Sequence, residues 1–399
     1  FKEGYGPNKQ ALNKFKEKKV DLIITVDCGI SSHDVFRDFK NTDVKIIIID
    51  HHKASPDLPK ADAIVNPNRL DDNSNLGYLC AAGLTFIILA GILREIKSQK
   101  IFFDQESKIN LMYMLDLVSL ATVCDIVPLY GVNRAFVKQG LKILAKRNNL
   151  GLKALCDVSK LNKYPDTHTL GYILGPRINA GGRLSDSNLG LNLLSGNNEE
   201  NVFKVAQTLD DLNNKRKDIE RDVLIEAETI AEKKLNKNPN LPLIIVAGDG
   251  WHEGVIGIVA GRIKEKYNKP SIVISFNEKS IGKGSGRGVS NFSLSENIIL
   301  AKQMGLLIEG GGHDMAVGLK IQEKNLNQFE EFILKKAEKL NNFSSKVLYF
   351  TDFIPLSRCN FEFIDYLDKI GPFGAGHSEP RFVINNCKIG NNVNIGANC

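Results

Sequence analysis

The sequence predicts an α/β protein built on a mostly parallel sheet, and three observations predict it. Short runs rich in β-branched residues, Asp21–Val26, Lys45–Ile49 and Ala63–Val65, alternate with polar or helix-patterned segments. That order is what crossover connections impose on parallel strands. Two of the runs end in functional side chains, Asp27-Cys28-Gly29 and Asp50-His51-His52. A second alternating series begins at Leu243-Ile244-Ile245-Val246, after a long charged stretch.

Helices are expected at about Ala81–Lys97, Asn110–Val123 and Asn133–Lys146, and the first domain is expected to close near Gly196. Residues 198–236 are dense in Lys, Asp and Glu, lack Gly and Pro, and carry Val202, Val205, Leu209 and Leu212 at helical spacing. This pattern reads as a long connecting helix. A coiled-coil partner helix is the competing reading, disfavoured because the stripe keeps no strict heptad. Pro239 and Pro242 then punctuate the chain. The second α/β unit continues with a helix at about Val255–Tyr267 and a strand at Ser271–Ile274, and runs to roughly Leu340. The remainder, rich in Phe, Asn and Ile, reads as β-structure.

A length of 399 residues suits two or three domains, and 43% hydrophobic with 25% charged residues is an ordinary globular composition. The net charge of +6, from 52 basic and 46 acidic residues, leans towards a polyanionic partner. Seven cysteines without a Cys-x-x-Cys pair argue against a zinc ribbon or a disulfide framework and fit a cytoplasmic location. The longest apolar stretch, near Cys80–Leu93, is too short for a membrane span, and no signal peptide is visible.

Ligands of open α/β sheets gather beyond the carboxyl ends of the strands. Asp27 and His51 stand at two such ends, and Asp125 follows the apolar stretch Leu117–Val123. Carboxylate mixed with imidazole suits Mn²⁺ or a similar ion in a hydrolytic site. Asp27 alone reads equally well as a turn or helix cap. An acid among apolar residues, as Asp125 is, must be paired, protonated or metal-bound. Cys28 and Cys124 read as small buried residues.

Arg177, Asn179 and Arg183 fall in a glycine-interrupted segment read as a loop, where guanidinium forks suit phosphates; a bridge between domains is the alternative. The run Ile281 to Gly288 alternates glycine with Lys283, Ser285 and Arg287. Glycines let backbone N–H groups approach a phosphate; a flexible hairpin is the other reading, and the spacing is not that of a Walker A motif. Gly310-Gly311-Gly312-His313 reads as a nucleotide-facing turn or a structural one. Trp251 is read as core in preference to a base-stacking residue, and His168 and His377 show no partner pattern.

Eight segments stand in a family order: Glu3-Gly4-Tyr5-Gly6, Thr25-Val26-Asp27-Cys28-Gly29, Asp50-His51-His52, Ile64 to Arg69, Ala121 to Leu129, Pro176 to Leu184, Gly250 to Gly257, and Gly311-Gly312-His313. In these the chain resembles the DHH phosphoesterases and, within them, the RecJ group of single-strand-specific 5′→3′ DNA exonucleases. The resemblance implies a DHH domain over residues 1–196, a connecting helix over 197–238, a DHH-associated substrate-binding domain over 239–340 and the start of an OB-like domain over 341–399. It implies a metal-dependent phosphodiesterase releasing mononucleotides in DNA repair and recombination, with two ions, Mn²⁺ or Mg²⁺. Asp27 would bridge them, His51 and Asp125 would complete the ligands present here, and Asp50 would orient the far ring nitrogen of His51. His52 would face the scissile phosphate. Arg177, Asn179, Arg183, Lys283, Ser285, Arg287, Gly311, Gly312 and His313 would hold substrate, in a cleft between two lobes that passes one strand.

The family's first Asp-x-Asp motif would precede Glu3 and is absent, and Gly371 to Gly376 resembles only the opening of an OB-fold. A fragment with impaired activity is therefore expected. Expected partners are single-stranded DNA, a single-strand-binding protein and a helicase, acting on a cytoplasmic monomer without membrane contact. Two alternatives stay open: a DHH oligoribonuclease or cyclic-dinucleotide phosphodiesterase, and a non-catalytic DNA-binding relative.

Overall fold

The structure, a computed structural model, describes residues 6–37, 39, 43–99, 109–338 and 348–386. Of the motifs above, Glu3, Gly4 and Tyr5 lie outside the described residues, as do 387–399. The chain packs as two compact units, one up to Pro176 together with the residues from Phe350 on, the other Arg177–Tyr349. The packing thus changes at Arg177, ahead of the boundary expected near Gly196.

The first unit opens with α1 (Lys9–Glu17), capped by the Asn8 carboxamide, which accepts from Ala11 N at 2.8 Å. Three parallel strands follow in spatial order β1-β2-β3: β1 (Leu22–Val26), β2 (Lys45–Ile49) and β3 (Ala63–Val65), with α2 (His33–Arg37) between the first two. Their register pairs Val26 with Ile49 and Ile49 with Val65. The residues after these, Asp27, Asp50 and Asn66, therefore share one carboxyl edge. One face of the sheet buries Ile23, Ile46 and Ile48 against Leu12 and Phe36; the other packs Ile47 and Ile49 against Leu79 and Leu84. Leu84 belongs to α3 (Ala81–Ser98), followed by α4 (Leu115–Cys124), α5 (Gly131–Ala145) and α6 (Leu150–Val158).

The second unit begins within α7 (Gly175–Leu184) and continues through α8 (Asn188–Ser195) into the 39-residue α9 (Glu199–Lys237). The expected connecting helix is present, and it packs on its own unit: Val223, Ala227 and Ala231 join a core with Val255, Ile256 and Val259. Its sheet runs β4-β5-β6-β8-β7, comprising β4 (Ile244–Asp249), then α10 (Glu253–Tyr267), β5 (Ser271–Phe276), β6 (Ile281–Arg287), α11 (Leu294–Gln303), β7 (Glu309–His313), β8 (Ala316–Gln322) and α12 (Leu326–Ala337). Every residue of β5 is buried, as helices on both faces of a sheet require. Ile272 and Ile274 meet α11 and α12 through Leu294, Ile298, Phe329 and Ile333, while Val273 meets α9 and α10.

Three expectations are corrected. Residues 177–183 lie in α7, not in a loop. The glycine-alternating run is neither a loop nor a free hairpin but β6, paired on both sides. A Cβ on Gly282, Gly284 or Gly286 would come within 2.6 Å of Phe276, Leu319 or Val317 respectively, so these glycines make room for the core. Their strand is held in ladders on both edges, which occupies the N–H groups expected from the sequence to face phosphate. Beyond residue 348 the described chain is mostly not strand. Only the two-residue β9 (Asp352–Phe353) and β10 (Phe382–Val383) pair, flanking the helix α13 (Phe361–Ile370). Asn360 caps that helix by accepting from Phe363 N at 2.9 Å.

The α4–α5 crossing is a close approach in the first unit's helical layer: a Cβ on Gly140 would sit 2.2 Å from Leu115 O. Gly140→Ala should therefore destabilise the protein by about 1–3 kcal/mol through overpacking. Gly91→Ala on α3, where nothing lies within 4 Å of the added carbon, should instead stabilise by about 0.4–1 kcal/mol through chain entropy. Chemical denaturation of both variants checks the opposite signs.

Candidate metal centre and substrate-facing residues

The parallel register brings the first polar residues after β1 and β2 side by side, and α4 ends at Cys124, so that Asp125 is its C-cap. The result is a convergence on one imidazole. His51 Nε2 lies 3.1 Å from Asp27 Oδ1 and 3.4 Å from Asp125 Oδ2. One ligand atom each from Asp27, His51 and His52 also fall within 4.8 Å of one another. Asp27 reaches its place in the left-handed region, φ 64°, with its N–H donating to Ile49 O at 2.9 Å. A short polar side chain tolerates that conformation better than most, and strain there is common at functional sites.

The bond to Asp27 raises the His51 pKa, burial opposes it, and Asp125 adds to the rise. Burial raises the Asp125 carboxyl, partly offset by His51, with Asp27 adding to the rise. The two carboxylates thus favour positive charge on His51, and Asp27 disfavours a second negative charge on Asp125. The donor set itself, two hard oxygens and one nitrogen, fits Mn²⁺ or Mg²⁺ better than a thiolate site would. Cys28 stays outside such chemistry: burial first, then Asp50 and Asp27, push its thiol up.

Asp50 is 1% exposed. Its Oδ2 accepts from Ile30 N at 3.0 Å; its Oδ1 accepts from His51 N at 2.8 Å, His52 N at 3.2 Å and His52 Nδ1 at 2.7 Å. Burial pushes this carboxyl up, but the ring and the three backbone donors outweigh it and hold the group below its ordinary value. The expected partner is thus corrected: Asp50 orients the ring of His52, not of His51. The cause is local, because the turn after β2 lays His52 Nδ1 over the same oxygen that binds both backbone N–H groups.

Two residues without an assigned role complete this edge. Asn66, 2% exposed, donates from Nδ2 to His52 O at 2.9 Å and accepts from Asn68 N at 2.7 Å. Asn68 Nδ2 donates to His51 O at 2.6 Å and Gly77 O at 3.0 Å. The signal was available, since both follow β3 at the carboxyl edge that carries Asp27 and Asp50.

In the second unit, Arg177 Nε is paired with Asp210 of α9 at 2.7 Å, and Asn179 is exposed on α7. Arg183 Nη1 donates to Gly254 O at 3.0 Å at the start of α10. Lys283 Nζ meets Glu253 Oε2 at 2.6 Å, and Arg287 Nη1 donates to Ser285 Oγ at 3.1 Å. Burial lowers the pKa of both Arg183 and Arg287, and each has another arginine as a further cause: Arg216 for Arg183, Arg183 for Arg287. Positive charge is therefore concentrated on this face of β6 and the adjoining α7. Gly311, Gly312 and His313 end β7 on the far edge of the sheet, beyond β8, so they are strand and not the expected turn, and His313 is exposed. Trp251 is buried as expected, with Nε1 donating to Glu226 Oε2 at 2.8 Å.

Comparison with known proteins gives a consistent picture. Residues 2–122 match the DHH family, N-terminal domain, residues 240–340 the DHHA1 domain and residues 352–399 the RecJ OB domain. The single-stranded-DNA-specific exonuclease RecJ of Haemophilus influenzae is 33% identical over 406 residues, which cover 99% of this chain and 70% of that protein. The crystal structure of RecJ in complex with Mn²⁺ from Thermus thermophilus matches with a TM-score of 0.80 at 26% identity, covering 94% of this chain and 54% of that one. The Mg²⁺ complex from the same source matches with a TM-score of 0.72 at 25% identity, covering 90% and 50%. The chain thus spans about half the length of the Thermus protein.

Asp50→Asn would put an amide among four donors. It should cost about 1.5–3 kcal/mol of stability even in metal-free protein. Urea unfolding with an unchanged m-value is the check; a midpoint equal to that of the unmodified protein would show that the charge and the second acceptor oxygen of Asp50 contribute nothing net.

Proposed function

The chain belongs to the RecJ family of single-stranded-DNA-specific exonucleases, and on that premise we propose that it hydrolyses phosphodiester bonds of single-stranded DNA from the 5′ end. The observation that carries this reading is the placement of His51 Nε2 between Asp27 and Asp125, at 3.1 and 3.4 Å. Asp27, His51 and Asp125 would hold divalent metal, Mn²⁺ or Mg²⁺, with Asp27 shared between two ions. Bound there, the metal supplies charge for the phosphate oxygens and a more acidic water. His52, whose Nδ1 is tied to Asp50, presents its other ring nitrogen in a fixed orientation to stabilise or protonate the leaving oxygen. Asn66 and Asn68 keep the two histidine carbonyls still, so the imidazoles do not rotate away with their backbone.

Arg183 and Arg287, with Arg177, Lys283 and Ser285, would bind the sugar–phosphate backbone, and Asn179, Gly311, Gly312 and His313 would line the same strand. Arg183 and Arg287 carry this part most directly, because their positive charges sit close together with burial against them, and an anion relieves both costs.

Digestion of a 5′-phosphorylated single strand should require added Mn²⁺ or Mg²⁺ and stop after EDTA dialysis. His51→Ala and Asp125→Ala should weaken metal binding measured by calorimetry, and full activity in verified absence of metal would refute the assignment. Arg287→Ala and Arg183→Ala should weaken binding equally across sequences and reduce the salt slope by about one unit for each phosphate that the variant no longer neutralises. Anisotropy titrations at several salt concentrations measure that slope.

A further inference from the structure

In the second unit the buried acid Glu220 of α9 faces arginines from three helices. Arg216 of α9 reaches Oε2 through Nη1 at 2.6 Å, and Arg262 of α10 stands with Nε 3.6 Å from Oε1. Arg183 of α7 is the third, within reach of the charges of both Glu220 and Arg216. Both carboxylate oxygens are thus engaged, and neither by Arg183. Among the described residues Arg183 has no ion pair; its Nη1 donates to the carbonyl of Gly254 at 3.0 Å. In the same unit Arg177 is paired with Asp210 at 2.7 Å and Lys283 with Glu253 at 2.6 Å. Acids therefore stand against two of the basic residues and are kept from Arg183.

Stability alone does not account for the way Arg216 is held. Its side chain is 11% exposed and that of Glu220 12%, and a buried ion pair gains little over an apolar one. A base four residues ahead of its acid is also the weaker order for a helix. Arg216 Nη2 donates to Asn213 Oδ1 at 3.1 Å, but Arg216 Nε and Asn213 Nδ2 are buried without a hydrogen-bond partner among the described residues. Each such group costs free energy. The electrostatic result falls on Arg183. After burial, Arg216 is the larger influence lowering its pKa, and Glu220 offsets it only in part. Arg183 in turn disfavours the charge of Arg287.

We propose that Arg216, seconded by Arg262, occupies Glu220 so that this acid does not pair with Arg183, which leaves Arg183 to neutralise a phosphate of the substrate strand. Arg216 and Glu220 are then positioning residues that act through Arg183 without touching DNA. The proposal rests on the reading of Arg183 as a phosphate ligand and deepens it by naming what keeps that ligand uncompensated. A guanidinium fork matches one carboxylate or one phosphate, so an acid within reach competes with the strand. Turning Glu220 towards Arg183 would strip the buried Arg216 of its counter-charge, and an unpaired buried charge is costly. The acid is thereby held where it is.

The test is whether a second substitution rescues the first. A 3′-fluorescein-labelled oligothymidylate is titrated in EDTA at several salt concentrations with the full chain. The variants are Arg183→Ala, Arg216→Gln, Arg216→Gln/Glu220→Gln and Arg216→Gln/Arg183→Ala, each first shown to unfold cooperatively in urea. Arg216→Gln should release Glu220 to Arg183 and weaken binding about 10- to 150-fold, the range for a lost contact to a charged group. It should also lower the salt slope by about one unit, as Arg183→Ala does. Adding Glu220→Gln should restore both affinity and slope, and adding Arg183→Ala should change little further. If Arg216→Gln does not fold, Arg216→Lys takes its place with the same signs at smaller amplitude, because an ammonium lacks the planar fork that grips the acid. A double variant with Glu220→Gln that binds no better than the Arg216 variant overturns the proposal, since Arg216 would then support the fold or touch DNA itself. Binding by Arg216→Gln as tight as that of the unmodified protein overturns it too. If Arg183→Ala lowers affinity and slope while the rescue is absent, the phosphate reading of Arg183 stands and only the positioning pair falls. If Arg183→Ala changes neither, both fall, and if the unmodified chain binds no single strand, the exonuclease reading falls with them.

Discussion

The buried carboxylate of Asp50 is the constraint on which the carboxyl edge of the first sheet depends. A charge that is 1% exposed persists only if its desolvation is offset, and here four donors converge on it from Ile30, His51 and His52. Those donors are also the frame of the site. The Ile30 N–H belongs to the segment after Asp27, and the other three fix the His51-His52 backbone and the His52 ring. A single anion thus ties the end of β1 to the end of β2. Asn66 and Asn68 extend the same logic from β3 by holding the carbonyls of both histidines.

The proposed division of roles between adjacent histidines rests on this anchoring. His52 has its Nδ1 committed to Asp50, so its remaining nitrogen is defined in direction. His51 carries Nε2 towards two carboxylates that crowd one another, an arrangement whose repulsion a divalent cation would relieve. In the proposed assignment the ring tied to Asp50 meets the reacting oxygen, and the ring in the acidic cluster binds metal.

The second unit solves a different problem with its glycines. A strand bearing Lys283, Ser285 and Arg287 on one face must still cover a core on the other, and the core side is filled by Phe276, Leu319 and Val317 leaning over Gly282, Gly284 and Gly286. The basic face is then held close to α10 by Glu253 and by Gly257, whose Cβ would lie 3.0 Å from Arg287 Nη2. Arg287 is brought close enough to Arg183 for the two charges to disfavour one another, and a strand paired on both edges, rather than a flexible loop, carries Arg287.

The alternation of strands and helices, the three strand-end residues Asp27, Asp50 and His51, and the length of α9 were all legible in the sequence, because each is written in a local period or a strand boundary. Tertiary structure decided what depends on the third dimension. Which histidine Asp50 orients is set by the turn geometry after β2. Whether Gly282 to Gly286 serves a phosphate or a core depends on neighbouring strands distant in sequence. The helix α13 is hidden in a composition rich in Phe, Asn and Ile, although Asn360 marks its start. The stack of His168 on Tyr172 beside Ile126 joins residues more than a helix apart, and no spacing rule in the chain brings them together. Local sequence fixes conformations whose energies are local; hydrogen-bond partners and cavities belong to the packing, which sums over residues the sequence keeps apart.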